Sequence, residues 1–226
     1  MGYLDPILAA YLVNANSQNK APMEAYMKTR FIFLGIKSPE RAKLNQIFFK
    51  EYGYPVSNNL SSLIKILWSR PEREFQYFGM ELCGKFKNKF HEENLILIEY
   101  IIINKSWWDT VDFIASNLAG GYFKTYPAKI KETIARWIKS ENMWLRRSAL
   151  LFQLKYKMEV DEDLLAKNIL ICKDEDAFFI RKAIGWSLRQ YSKYNPEWVK
   201  RFVSTHELSP LSNKEALKWL IRNNLG

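Results

Sequence analysis

Trp108, Arg147 and Trp186 are spaced at equal steps of thirty-nine residues, each inside a helix-patterned segment rich in aromatic side chains. A constant step of this size narrows the folds open to the chain. Short helical units repeating near 40 residues cannot bury their own apolar faces, so each must stack on a neighbour to complete a core. The expectation is an all-α, HEAT-like or armadillo-type superhelix, a solenoid over residues 1–226 as one domain. Such a solenoid is concave, and its groove is lined by the second helix of each pair.

Local patterns agree along the chain. Ile7, Leu8, Tyr11 and Leu12 mark a helix over 5–14, and a polar linker runs from there to Lys20. Pro22 opens a second helix in a first-turn position that proline tolerates. Ser38 as N-cap, Pro39 at the first helical position and Glu40 beside it start a third. Further helices are expected over 60–69 and from 70–72 along the Phe75, Phe78, Leu82, Phe86 stripe. Others follow over 92–103, 107–117, 127–140, 143–157, 161–171, 177–194, 196–204 and 214–223. No Gly-flanked pair of alternating strands and no Asn-Gly hairpin turn occurs.

Charge adds a constraint on partners. Residues 1–113 carry 14 basic against 12 acidic side chains and residues 114–226 carry 20 against 12, so most of the basic surface belongs to the second half. A net charge of +10 favours nucleic acid or an anionic membrane over a small neutral substrate. No apolar run reaches the roughly 18 residues of a membrane span, and no basic region precedes the first apolar stretch. Cys83 and Cys172 lack a CxxC partner, which fits a reducing cytoplasm without zinc or a disulfide framework. With two histidines and no HExxH, P-loop, GxGxxG or nucleophile elbow, neither a metal nor any other cofactor is expected.

The Ser106-Trp-Trp-Asp-Thr-Val-Asp112 run puts Trp108 and Asp112 one helical turn apart on one face. Adjacent tryptophans on a helix diverge by about 100°, so Trp107 and Trp108 cannot both enter the same core. Arg147 falls off the Leu145, Ala149, Phe152 face and is expected at the surface. Trp186 shares a stripe with Phe179 and Ala183, a position as suitable for core as for ligand.

These segments, with Trp144-Leu-Arg-Arg147, Phe152-Gln-Leu-Lys-Tyr-Lys157, Phe178-Phe-Ile-Arg-Lys-Ala-Ile-Gly-Trp186, Leu208-Ser-Pro-Leu-Ser212, Tyr26-Met-Lys28 and Phe31-Ile-Phe-Leu-Gly-Ile36, resemble the AlkD family of bacterial alkylpurine DNA glycosylases over essentially the whole chain. The resemblance implies a monomer acting in the cytoplasm on nucleoid DNA, away from membranes. It would hold alkylated duplex DNA in a basic groove and release cationic N3- and N7-alkylpurines in base excision repair. It implies a catalytic set of Asp112, Trp108, Trp186 and Arg147, with Arg146 as the alternative guanidinium, and a DNA-facing Tyr26. Lys37, Arg41, Lys155, Lys157, Arg189 and Lys193 are candidate phosphate contacts. Ser38, Pro39, Trp107, Arg146, Phe178 and Phe179 are expected on the DNA-binding side with them.

The chemistry suits those residues. A cationic purine departs as a neutral base and needs no acid, so one carboxylate suffices where glycosidases ordinarily use two. The competing reading is a non-catalytic HEAT scaffold for nucleic acid or protein, which would have no use for a carboxylate in a basic groove.

Overall fold

Fourteen α-helices account for most of the described residues, 2–225, of the computed structural model. No strand forms among them; Ile32 and Glu72 make one isolated parallel bridge. The all-α expectation holds. Among the described residues no helix is long and apolar enough to cross a membrane.

The sequence reading takes 1–226 as one domain; in the structure, the chain divides into two compact units, residues 1–89 and 90–226. In the first unit, α1 (Asp5–Val13) packs on α3 (Ser38–Tyr52), and α4 (Leu60–Ser69) on α5 (Arg73–Phe86). Between α1 and α3 lies α2 (Ser17–Tyr26). It begins five residues earlier than expected because the Asn16 side chain caps it, accepting from the Gln18 amide at 3.0 Å. The polar stretch is therefore helical, and Pro22 lies inside the helix. Lys37, rather than Ser38, is the N-cap residue of α3, and Glu40 accepts from its amide at 3.2 Å.

A buried carboxylate organises the connection into α3. Glu74 on α5 accepts from the amides of Leu34, Gly35 and Ile36 at 3.0, 2.9 and 3.1 Å, which satisfies a loop segment that no sheet pairs. Tyr11, Phe48, Phe75 and Phe78 fill the space beneath, with Tyr11 stacked on Phe75 at 5.6 Å and Phe48 edge-on to Phe78 at 5.5 Å.

In the second unit, α6 (Asn94–Ile103) leads into α7 (Trp108–Phe113), a π-helical turn over Ile114–Ala119, and α8 (Gly120–Thr125). The sequence pattern ends this helix at Asn117; the structure carries it through the π turn to Thr125. Gly120 makes the continuation possible, since a Cβ there would meet the Phe152 carbonyl at 2.5 Å. Then follow α9 (Ile130–Ile138), α10 (Met143–Leu151), α11 (Glu162–Cys172), α12 (Phe178–Tyr191), α13 (Pro196–Thr205) and α14 (Pro210–Arg222). Helix α10 stops at Leu151, six residues short of its expected end. Ser209 caps α14 four residues ahead of its expected start, accepting from the Ser212 amide at 3.2 Å.

Helix α10 is the hub of this unit and touches α6, α7, the π turn, α9, α11 and α12. Its centrality follows from its sequence, because Leu145, Ala149, Leu150 and Leu151 are all buried and an amphipathic stripe alone would leave one side to solvent. Phe123, Trp137 and Phe152 close the core around it with centroid separations of 5.7 and 5.4 Å from Phe123.

Candidate active site

The equal sequence step becomes a spatial cluster. Trp108 on α7, Arg147 on α10 and Trp186 on α12 line one open cleft of about 370 Å³ in the second unit, together with Asp112. Phe178, Phe179, Lys182, Arg189 and Glu215 complete its walls.

Trp107 is extended, with φ −157° and ψ 162°, and α7 starts at the next residue. That break sends the two tryptophans apart. Trp107 is buried and packs edge-on against Trp144 at 5.7 Å and Phe179 at 4.9 Å, so it is a core residue and not part of an exposed binding surface. Trp108 stays half-buried in the cleft wall, and Asp112 follows one turn later.

Asp112 and Arg147 form a two-pronged pair. Arg147 Nε donates to Asp112 Oδ1 at 2.7 Å and Nη2 donates to Oδ2 at 2.9 Å. Its Nη1 donates to the Phe179 carbonyl, which ties the guanidinium to α12 as well. The expectation of a surface arginine is corrected here: Arg147 is only 4% exposed. Asp112, the Phe179 carbonyl and the Phe179 ring, whose centroid lies 5.8 Å from the guanidinium, enclose it.

Burial pushes the Asp112 carboxyl above its ordinary value; the hydrogen bonds and charge of Arg147 pull back, and Asp109 adds a smaller upward push. Two N–H groups of a permanently charged guanidinium favour the ionised form of that carboxyl and fix its orientation.

Arg146 is engaged elsewhere. It holds both oxygens of Glu175 at 2.9 to 3.2 Å and donates to the carbonyls of Ser140 and Glu141 at 2.6 and 2.9 Å. Of the two adjacent arginines, Arg147 is the one in the cleft.

Helix α12 supplies the opposite wall. Phe178, Lys182, Trp186 and Arg189 fall at i, i+4, i+8 and i+11 and share one face. Lys182 and Arg189 both bind Glu215 of α14, at 2.8 and 2.6 Å. Lys182 foremost, with Arg189 and Lys218, holds the Glu215 carboxyl below its ordinary range against the opposing pull of burial. Sequence reasoning missed Lys182, although its place on the Trp186 stripe was readable. It could not reach Glu215, which arrives from another helix.

The remaining candidates are spread more widely. Lys155 and Lys157 are exposed, and Lys155 donates to Asn117 in the π turn. Lys193 is exposed at the end of α12 and bonds Gln190. In the first unit, Tyr26 and Lys37 line a separate pocket with Phe33 and Tyr77, and Arg41 lies 4.5 Å over the Tyr77 ring. Ser38 and Pro39 are exposed at the start of α3. No group of three or more His, Cys, Asp or Glu arranged to hold a metal occurs among the described residues.

Comparison with known proteins identifies relatives of the chain as a whole. A solved structure from Enterococcus faecalis, described as a predicted DNA alkylation repair enzyme, is 37% identical and superposes with a TM-score of 0.84, covering 91% of this chain and 96% of its own. AlkD2 from Streptococcus mutans is 20% identical with a TM-score of 0.58, covering 77% and 86%, a likeness of fold. Curated CCA-adding enzymes of Saccharolobus islandicus match at 22% identity over 130 residues, 52% of this chain, and the match spans about a third (32%) of their length. The family model for DNA alkylation repair enzymes matches residues 7–220, nearly the full length, so the chain belongs to the DNA alkylation repair enzyme family.

Proposed function

We propose that the protein is a DNA glycosylase that hydrolyses the N-glycosidic bond of cationic N3- and N7-alkylpurines in duplex DNA. The observation that carries this reading is the Asp112 carboxylate, fixed by Arg147 in a cleft whose walls include the indoles of Trp108 and Trp186.

As the glycosidic bond breaks, positive charge moves onto the deoxyribose. A fixed Asp112 carboxylate stabilises that charge and orients the attacking water, and because it is already in place no reorganisation is needed during the step. The indole faces attract a cationic nucleotide by about 0.5 to 2 kcal/mol each, a contribution that neutral purines lack. Arg147 keeps the carboxylate ionised and balances its charge, so a phosphate backbone meets no net negative wall there.

The second carboxylate in the cleft supports a cationic substrate. An enzyme acting on a neutral purine needs an acid whose pKa is raised towards neutrality. Glu215 is shifted the other way by Lys182 and Arg189 and is a poor proton donor. A base that leaves without protonation fits a cleft equipped like this one.

The test is single-turnover release of free base from methylated duplex DNA by wild type and Asp112→Asn. Release by the wild type, with a loss of at least about 100-fold in the mutant and little change in DNA binding, is the expected result. Equal rates would remove Asp112 from the mechanism. No release by either, with binding intact, would leave a DNA-binding scaffold.

A further inference from the structure

We propose that Lys182 and Arg189, set by Glu215, form a seat for a single backbone phosphodiester beside Trp186. Two cations that share one carboxylate must converge on it. Lys182 Nζ holds Oε1 and Arg189 Nη1 holds Oε2 of the same Glu215 side chain. Their side chains are 35% and 27% exposed and that of Glu215 is 12%, so the carboxylate lies deepest and the cations stand in front of it.

Donor capacity remains on the outer side. An ammonium has three N–H donors and a guanidinium five, and Glu215 takes one from each. The two non-bridging oxygens of a phosphodiester offer a fork like that of a carboxylate, and converging cations can hold both together. The three groups sum to a single positive charge, which matches the single negative charge of one phosphodiester.

The backbone of α14 keeps the arrangement rigid. At Gly185, midway between the two cations on α12, a Cβ would lie 2.5 Å from Glu215 Cβ and 2.7 Å from the Ser212 carbonyl. The helices touch there, and Glu215 is wedged in place. Because Trp186 shares the face, a phosphate seated here belongs to the nucleotide whose sugar lies against that indole.

The proposal takes its ligand from the DNA reading above, but its test does not require base release. Affinity for an undamaged duplex is measured against salt for the whole protein, with each phosphate contact contributing about 0.9 to the slope of log K on log salt. The expected result is that the double variant Lys182→Gln/Arg189→Gln flattens the slope by about one contact, although two charges are gone. Lys182→Arg/Arg189→Lys should keep the slope and shows that the fold tolerates change at both positions. Flattening by two contacts would mean separate, unrelated phosphates, and an unchanged slope would mean no contact; either overturns the seat. Base release run on the same proteins keeps the two ideas apart, since a wild type that releases nothing but shows the one-contact effect sinks the glycosylase and leaves the seat.

Discussion

The Asp112–Arg147 pair sets opposing demands on stability and rate. Removing Arg147 alone, as in Arg147→Met, strands a mostly buried carboxylate, and the expected destabilisation is about 3 kcal/mol in urea unfolding. Arg147→Met combined with Asp112→Asn should recover much of that loss, because the cost comes from the unpaired charge. Full loss in the double variant would assign the effect to packing of the guanidinium instead. The carboxyl of Asp112 is shifted upward by burial, and the sign of its pH dependence follows. Between its unfolded value, about 3.9, and its higher folded value, the folded state holds a proton that the unfolded chain has lost, so stability falls as pH rises. Base release needs the anion and rises across the same window. The measurement is the difference between wild-type and Asp112→Asn profiles, for unfolding and for rate; parallel profiles would show that another group titrates. Sequence spacing placed Trp108, Arg147 and Trp186 on related helices, but a helical wheel on α10 shows Arg147 only as lying off the apolar face. Its burial depends on Asp112 of α7 and Phe179 of α12, which meet it from two other helices.

At the scale of elements, the close approach of α12 and α14 is set by one residue. Gly185→Ala must push a Cβ into Glu215 and the Ser212 carbonyl, and a loss of about 1 to 3 kcal/mol in unfolding is expected. Duplex affinity should weaken as well, because Glu215 and its two cations move with α14. A variant as stable as wild type would show that the helices can separate at no cost. Helix α7 teaches a related point about legibility. The segment 107–117 was readable as helix, whereas the Gly120-Gly121 pair reads locally as a stop. The chain continues because the Phe152 carbonyl occupies the space a Cβ would need, and Tyr156 donates to the Gly120 carbonyl at 2.9 Å. Partners far along the chain, Phe152 and Tyr156, override the local propensity.

For the molecule as a whole, a charge of +10 with its excess in residues 114–226 leads to the expectation of duplex binding that weakens steeply with salt. Six phosphate contacts would lower affinity by about 10³-fold between 50 and 200 mM salt, and a salt-insensitive affinity would argue against DNA as the partner. By itself the sequence determined the all-α class, most helix positions and the regular step that brings Trp108, Arg147 and Trp186 to one place, because periodicity and equal spacing are properties of the linear chain. Only the tertiary structure decided which arginine faces the cleft, that Trp107 belongs to the core, and that Glu215 stands between Lys182 and Arg189. Those outcomes depend on which side chains different helices bring within hydrogen-bonding or van der Waals reach. No pattern within a single helix contains that information.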